Sequence, residues 1–299
     1  MKKLRSTLIL LVTSIIWGLA FVAQREGAKY VGAFTFNGVR FALGALVLVP
    51  VILAAERKVG SGRRLSAVKH GAVAGIFLFA AASSQQIGIN LTQSAGKAGF
   101  ITGLYTVLVP IAYFVFFRRR TGINVALGAV IALVGLYLLC GSMGEVGVGD
   151  LLLFVCALFW TAQIMWVDRS ASRDVPPVTF SAVEFATAAL LSIAVALPAE
   201  GVDIGAIRGA AIPILYAGVM STGVAFTLQI VGQKDADPTA ASIVMSTEAV
   251  WAALGGALIL GETMSARGIV GCALMLAGIV AAQIDITVIM KKQSERRRG

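Results

Sequence analysis

Two opposite charges placed inside long apolar stretches are the residues best suited to chemistry. Glu248 lies in "SIVMSTEAVWAALGGALIL" and Arg40 lies in "NGVRFALGALVLVP". A charge at the centre of a membrane-spanning helix costs about 2.5–3.5 kcal/mol on insertion scales, so it needs a partner or a water-filled cavity. Each residue lies nine residues into its apolar stretch, about 14 Å along a helix. We therefore expect the two charges at matched depth near the middle of a bilayer.

Two interpretations of Glu248 are open from the sequence. It forms a structural ion pair with Arg40 or a neutral, hydrogen-bonded acid between helices, or it faces a central cavity and alternately binds protons and substrate. Arg40 is a candidate for holding a substrate carboxylate. Glu184 lies only six residues from the start of its stretch, so we expect it to reach the interface and assign it to packing. Asn37 and Ser181 lie three residues before Arg40 and Glu184, so each pair shares a helix face.

Uncharged polar and aromatic residues follow helical spacing on four other stretches, a pattern that predicts the walls of a cavity. Amides there would hydrogen-bond a substrate, while aromatic rings would stack on it or bind a cation. For either tryptophan, packing against a neighbouring helix is the alternative. The stripes are Thr13, Trp17, Phe21 and Gln24; Ser83, Gln86 and Asn90; Cys156, Trp160 and Gln163; and Thr222, Phe226, Gln229 and Gln233. The predicted substrate-binding or coupling residues are Trp17, Arg40, Gln86, Tyr105, Trp160, Gln163, Gln229 and Glu248.

The sequence carries no recognisable catalytic, metal or cofactor motif. "AGKAG" lacks the leading glycine and the Ser/Thr of a phosphate-binding loop, and neither His-Glu-x-x-His nor Gly-x-Ser-x-Gly occurs. The single histidine, His70, begins an apolar stretch next to a basic loop, which favours an interfacial position. Three cysteines form neither a disulfide framework nor a metal-ligand cluster. We therefore predict no catalytic residues, no metal and no cofactor.

The composition indicates that lipid surrounds these residues. Hydrophobic residues make up 58% of the 299 residues and charged residues only 13%, against about 25% charged residues in soluble domains. The net charge of +10 is concentrated between apolar segments and at the two ends, a distribution that membrane orientation explains without a nucleic-acid partner. The chain is predicted to be an integral membrane protein with membrane lipids as its neighbours.

Ten apolar segments predict ten transmembrane helices joined by short loops. When the loops are assigned to alternate sides, 19 of the 25 Lys and Arg residues fall on the side that holds both termini. This bias predicts cytoplasmic termini and a multi-pass protein of the inner (plasma) membrane. The basic, apolar start resembles a signal peptide, but its repeat partner lies deep in the chain, so we interpret it as a retained span. The segments are Thr7–Gln24, Val31–Ala55, His70–Asn90, Gly96–Phe117, Gly122–Gly141, Asp150–Val167, Val178–Pro198, Ala210–Gly232, Thr239–Leu260 and Ala266–Val288.

An internal duplication divides the chain into two halves. Residues 143 apart match, as Trp17 matches Trp160 and Gln86 matches Gln229, and the second helices align after one inserted residue. Since each half has an odd number of spans, the halves must be inverted relative to each other, which places a substrate site between them near the midplane. Tyr105 occupies the repeat position of Glu248. The predicted domains are a first five-helix repeat (1–141), a connecting loop (142–149), a second five-helix repeat (150–290) and a basic cytoplasmic tail (291–299).

Several motifs are similar to those of the EamA-type branch of the drug/metabolite transporter superfamily. They are "WG" in the first helix, "FITGLYTVLVP" from Phe100, and "GALILGETMSARGIVGCALMLAGIVAA" near the end. The resemblance covers nearly the whole chain and implies a ten-helix carrier for amino acids or other small metabolites, often an exporter. The family's common Glu-Pro pair reads Glu248-Ala249 here, so no proline is present to kink the helix beside Glu248.

The fold class predicted from the sequence is therefore an all-α integral membrane protein of ten transmembrane helices in two inverted five-helix repeats. The predicted function is a secondary-active carrier of a small-molecule substrate. Because no nucleotide-binding domain is recognisable, an ion gradient, with protons as the candidate coupling ion, or a substrate gradient would drive it. An integral membrane enzyme acting on lipid-linked substrates and a channel-like facilitator or scaffold are the alternatives. The glycines Gly128, Gly135, Gly271 and Gly278 are expected to pack helices or to form a dimer seam, so both monomer and homodimer stay open.

Overall fold

The computed structural model describes residues 2–92, 95–118, 122–140, 147–261 and 265–283. Within these ranges the chain is helical, with short connections and no strand. The helices of the first half are α1 (Lys2–Gly27), α2 (Ala33–Ala55), α3 (Ser61–Thr92), α4 (Ala95–Gly103), α5 (Tyr105–Phe117) and α6 (Ile123–Cys140). Those of the second half are α7 (Val148–Ala171), α8 (Pro177–Ala199), α9 (Ile204–Gly209), α10 (Ala211–Leu215), a π-helix (Tyr216–Phe226), α11 (Thr227–Gln233), α12 (Pro238–Met245), α13 (Glu248–Leu260) and α14 (Ala266–Gln283).

Long apolar helices dominate the described residues. Seven helical stretches are long and apolar enough to cross a membrane, and three shorter apolar helices accompany them, Ile101–Phe117, Ile123–Leu138 and Ala266–Ala282. The prediction of an all-helical, multi-pass membrane protein is confirmed. That all ten predicted segments cross the bilayer stays a prediction.

Two of the long segments are interrupted, and the interruptions lie at repeat-related positions. Leu104 separates α4 from α5, while Ser246 and Thr247 separate α12 from α13. The Ser246 Oγ donates to Ile243 O at 2.9 Å, and the Thr247 Oγ1 donates to Val244 O at 2.6 Å. Such bonds from Ser and Thr to the preceding turn bend helices. A break therefore lies beside Glu248 although no proline is present.

A π-helix replaces the α-helix through the middle of one membrane segment. The Thr222 hydroxyl donates to the carbonyl of Ala217, five residues earlier, at 2.7 Å. The segment at the matching repeat positions, 73–83, belongs to the regular helix α3. π-Helical turns are rare in proteins overall, and those that occur are often found at functional sites. The second half therefore contains an unusual local structure that the first half lacks.

Helix contacts follow the duplication. The repeat partners α2 and α8 pack against each other, and so do α6 and α14. The contact of α1 with α13 has its counterpart in that of α7 with α5, and the contact of α2 with the π-helix has its counterpart in that of α8 with α3. The two halves are therefore interleaved, so that a space at the centre is walled by both.

Glycines allow α6 and α14 to approach closely. A Cβ added at Gly128 would lie 2.6 Å from Gly278 O, and one added at Gly278 would lie 2.7 Å from Gly128 O. A Cβ at Gly135 would likewise lie 2.6 Å from Gly271 O. Small residues of this kind let helix backbones pack tightly in membranes. These glycines thus pack α6 against α14 within the chain, and whether the protein is a monomer or a homodimer stays a prediction.

Reciprocal carboxylate caps hold the pair α2 and α8 at both ends. Glu56, at the end of α2, accepts bonds from Thr179 N at 2.8 Å and Thr179 Oγ1 at 2.6 Å at the start of α8. Glu200, at the end of α8, accepts bonds from Thr35 N and Thr35 Oγ1, both at 2.7 Å, at the start of α2. Carboxylates satisfy the unpaired N–H groups of a helix start and interact favourably with its dipole. Each half therefore caps the other by the same device.

The loops of each predicted side meet at one end of the bundle. At the basic end, which we define by Arg63, Asp174 and Lys234, the Asp174 carboxylate lies 2.8 Å from Arg63 Nη2 and 2.9 Å from Lys234 Nζ. The hydrogen bond from Lys234 and the charge of Arg63 lower the pKa of Asp174. At the opposite end, Tyr30 packs beside Gly209. Which end faces the cytoplasm stays a prediction.

Candidate functional site

A cavity lies at the centre of the bundle between the two halves. The empty space amounts to about 460 Å³, including the part open to solvent. Its wall comes from α1, α2, α3, α5, α7, the π-helix, α11 and α13. Six of the eight residues predicted from the sequence contribute to the wall, namely Trp17, Arg40, Tyr105, Trp160, Gln229 and Glu248.

Aromatic rings form one side of the cavity. The rings of Trp17 and Trp160, which are repeat partners, lie 6.0 Å apart between centroids. Phe226 lies against both, at 4.7 Å from Trp17 and 5.7 Å from Trp160. The Trp17 indole donates to Ser221 O at 3.3 Å, which fixes the ring against the π-helix. The tryptophans thus pack against each other and also face the cavity, where aromatic faces can stack on a ligand or attract a cation.

Tyr105 and Glu248 meet across the cavity. The Tyr105 hydroxyl donates to Glu248 Oε1 at 3.2 Å, and both residues are buried. Each is the first residue of its helix after a break, α5 for Tyr105 and α13 for Glu248. A negative charge is favoured at a helix N-terminus because of the free N–H groups and the helix dipole. The break thus gives Glu248 a favourable position for a carboxylate, although the residue lies within an apolar segment.

Arg40 faces the same cavity without pairing with Glu248. Its Nε donates to Asn37 Oδ1 at 2.9 Å, and its guanidinium carbon lies 4.5 Å from the centroid of the Phe41 ring. Among the ion pairs of the described residues, none joins Arg40 to Glu248. The ion-pair interpretation therefore does not describe this conformation. Arg40 and Glu248 line a common space instead.

Sequence and structure comparisons identify the family of this fold. A model of the EamA-like transporter family matches residues 4–141 and again residues 147–282. The chain belongs to the EamA-like transporter family. This confirms the resemblance to the drug/metabolite transporters, and it makes the protein a member of a membrane transporter family.

Relatives of this EamA-like protein include proteins of Archaeoglobus fulgidus named "uncharacterized transporter". One is 26% identical over 285 residues, covering 95% of this chain and 88% of the relative. Another is 20% identical over 279 residues, covering 92% and 98%. A solved crystal structure matches with a TM-score of 0.77 and 22% identity, covering 93% of this chain and 97% of that one. The similarity to the solved structure supports the fold.

In this EamA-like protein two predicted site residues, Gln86 and Gln163, lie behind the cavity wall. The Gln86 amide donates to Gln24 O and to Asn90 Oδ1, both at 3.3 Å. Its neighbour Gln85 lines the cavity in its place. One residue along a helix is a rotation of about 100°, so the helical stripe was placed one position off the cavity-facing side.

Gln163 belongs to a buried amide and carboxylate network. Its Nε2 donates to Glu184 Oε1 at 2.9 Å, and it exchanges hydrogen bonds with Gln229 at 3.3 and 3.1 Å. Glu184 has no exposed surface, so the expectation that it reaches the interface is wrong. Helix α8 packs directly on α3, where a Cβ at Gly75 would lie 2.6 Å from Glu184 O. The close approach of the two helices at this residue agrees with the full burial of Glu184.

Four wall residues belong neither to the predicted stripes nor to the predicted site residues. Three of them carried signals in the sequence. Ile164 is the repeat partner of Phe21, a predicted stripe residue, and Gln85 is an amide next to one. Ala20 is the repeat partner of Gln163, another predicted stripe residue, whereas Ser221 faces the cavity from the π-helix. Repeat symmetry was therefore a better guide to the wall than helical spacing alone.

Proposed function

We propose that this EamA-like protein is a secondary-active transporter that moves small metabolites such as amino acids by alternating access, working as an exporter across the inner membrane. The observation that carries the proposal is the central cavity, whose wall includes both members of the repeat pairs Trp17/Trp160 and Tyr105/Glu248. A site shared by two inverted halves can be exposed to either side when one half rocks against the other.

The chemistry of the wall suits zwitterionic or mildly polar molecules. Arg40 would hold a carboxylate, since a guanidinium binds carboxylates by paired hydrogen bonds. Glu248 and the faces of Trp17 and Trp160 would hold an ammonium group. Gln85 and Gln229 would supply amide hydrogen bonds. A phosphate would require several arginines in the wall, and Arg40 is the arginine that lines the described cavity.

Glu248 is the proposed coupling residue. Its described hydrogen bond comes from Tyr105, its carboxylate lines the cavity, and it starts α13. A carboxylate in this position can exchange a proton for the cationic group of a substrate as the cavity changes sides. Protons are therefore the proposed coupling ion.

The proposed topology has ten spans in two inverted five-helix repeats with both termini in the cytoplasm. The clustering of Arg63, Asp174 and Lys234 at one end supports it, because these residues come from loops assigned to the same side. Impermeant labelling of cysteines introduced by Lys2→Cys and Gly299→Cys in intact cells tests the topology. Labelling of either terminus from outside would contradict it.

The function is tested by comparing the metabolites retained in cells with and without the gene, followed by counterflow of the changed metabolite in proteoliposomes. A carrier accumulates labelled substrate against an internal unlabelled pool, whereas a pore does not. Arg40→Gln and Arg40→Lys are expected to lose exchange of a substrate that has a carboxylate. The matched control is Arg208→Gln, which removes an exposed arginine near one end of the bundle. Retained exchange in both Arg40 variants would contradict the assigned role.

A further inference from the structure

Some residues line the cavity while their repeat counterparts do not, and this difference shows toward which end of the bundle the cavity extends. Ala20 and Arg40 line it, whereas their repeat counterparts Gln163 and Glu184 do not. Gln229 lines the cavity, and its side chain is paired with that of Gln163, which does not. The space therefore extends through the part of the bundle that holds Arg40 and stops short of Glu184.

Beyond Glu184 the chain is held together at the basic end. Asp174 follows α7, and its carboxylate contacts both Arg63, near the start of α3, and Lys234, just after α11. Glu184 lies in the second turn of α8, which starts at this same end. This conformation is thus closed between the cavity and the basic end, with Glu184 inside the closed region.

Among the residues that the structure describes, none places a positive charge against the Glu184 carboxylate. Its Oε1 accepts one amide bond from Gln163, its Oε2 has no hydrogen-bond partner, and the residue is fully buried. An ionised carboxylate buried without a cation is very costly, and the group neutralises instead. Glu184 therefore carries a proton in this conformation.

The charged and titratable groups on the helices packed around Glu184 are directed elsewhere. On α2, Arg40 donates to Asn37, and in the π-helix Tyr216 donates to Ile16 O, while α11 has no such group. On α3, Arg63 bonds Asp174, Arg64 bonds Glu56 O, His70 contacts Ser66 and Arg173, and Lys69 is exposed. On α7, Asp168 accepts a bond from Tyr113, Asp150 accepts one from Gly147 N, and Arg169 is exposed.

We propose that Glu184 is a second proton-binding site, protonated while the basic end is closed and deprotonated when the cavity opens toward that end. This inference rests on the alternating-access function proposed above. In an inverted repeat the opposite-facing state arises when the two halves exchange conformations. Gln163 and Glu184 then take the wall positions that Ala20 and Arg40 hold here. Water reaches Glu184, and its proton passes to the solution at the basic end.

Glu184 and Glu248 differ in what they do with a proton. Glu248 and its repeat partner Tyr105 both line the cavity, so Glu248 stays accessible in either state. Glu184 is reached from the basic end alone, so it returns its proton to the side from which it came. It therefore carries no net proton across the membrane. It makes closure of the basic end depend on the pH at that end.

The test measures closure of the basic end against pH in the full-length protein in lipid nanodiscs. Spin labels at Lys58→Cys and Asp235→Cys, both exposed positions near this end, report the distance across it, and the chain without these substitutions gives the background from native cysteines. The ratio of open to closed protein is expected to rise with pH, by up to about tenfold per pH unit for one titrating proton. Glu184→Gln should abolish this dependence and favour the closed state, whereas Glu184→Asp should retain it.

The matched control is Glu26→Gln, which removes a partly exposed glutamate near the end of α1 and should leave the pH dependence unchanged. Infrared spectra of the reconstituted protein supply a second readout, the carbonyl stretch of a neutral carboxylic acid, which Glu184→Gln should diminish. An equal pH dependence in Glu184→Gln, or an undiminished infrared band, would overturn this inference alone. A label distance that never changes under any condition would overturn the alternating-access function and this inference with it.

Discussion

The seam between α6 and α14 and the wall of the cavity are both built from repeat-related residues, but they use the repeat in opposite ways. At the seam the two halves supply the same residue, as Gly128 contacts Gly278 and Gly135 contacts Gly271. At the cavity they supply the same residue at Trp17 and Trp160, but different residues at the polar position, where Tyr105 lies opposite Glu248. Packing requires the same shape from both halves, whereas binding and coupling require a charge that one half alone carries.

The largest effect is expected at the seam. Gly128→Leu and Gly278→Leu should each destabilise the protein by about 3 kcal/mol or more, since the new side chain would collide with a facing backbone that cannot move aside. Both should lose yield and thermal stability to a similar extent, measured by tryptophan fluorescence in detergent. Gly62→Leu is the control, because a Cβ there meets nothing within 4 Å. Full stability of either seam variant would contradict the packing role.

The second-largest effect is expected at Glu248, compared with its repeat partner Tyr105. Glu248→Gln should reduce proton-coupled exchange by about tenfold or more, a change of 1.4 kcal/mol in the relevant barrier or affinity. Tyr105→Phe removes one hydrogen bond to that carboxylate and should cost about 1 kcal/mol or less. Counterflow and its dependence on an imposed pH gradient are the measurements. Equal losses in both variants would mean that the pair acts as a structural bond.

A smaller effect is expected at the reciprocal caps. Glu56→Gln and Glu200→Gln should each destabilise the protein by about 1 kcal/mol, since a neutral amide caps a helix start less well than a carboxylate. Glu56 is only 6% exposed whereas Glu200 is exposed, so Glu56→Gln should cost more. Thermal unfolding in the same detergent measures both. A larger loss in Glu200→Gln would contradict the reasoning from burial.

The smallest effect concerns the ion pairs of the basic end. Lys234 and Arg63 lower the pKa of Asp174, so the stabilisation from Asp174 is fully present above the ordinary aspartate value of about 3.9 and is lost as pH falls through the lowered value. The carboxylate is 65% exposed, so salt screens it and the effect is small. Stability measured against pH should show a slightly weaker acid dependence in Asp174→Asn. Identical acid profiles for the two chains would contradict a folded-state role for these pairs.

Much of the fold followed from patterns along the chain. The apolar stretches predicted a helical membrane protein because every backbone polar group in lipid must be bonded within its own helix. The constant spacing that relates Trp17 to Trp160 and Tyr105 to Glu248 predicted that these residues occupy equivalent positions in the two halves, and the structure adds that the members of each pair contact each other. The interruption beside Glu248 was not predicted, since the local signal is a Ser-Thr pair and no proline.

Parts of the candidate site could not be predicted from helical spacing. Gln85 and Gln86 are neighbours of the same type, and only the rotation of α3 against its neighbours decides which one faces the cavity. Glu184 lies close to a helix start in sequence, yet close packing on Gly71 and Gly75 encloses it. The sequence predicts how deep a residue lies along a helix, but it does not predict which way the side chain faces around the helix axis.

The sequence by itself determined that lipid surrounds this protein, where its helices lie, that it is duplicated and to which family it belongs. These properties depend on composition, on the length of apolar stretches and on matching residues a fixed distance apart. Tertiary structure alone decided that Arg40 bonds Asn37 and not Glu248, that Tyr105 donates to Glu248, and that the cavity stops before Glu184. The physical reason is that hydrogen bonds form over about 3 Å, so a small rotation or shift between packed helices chooses the partner.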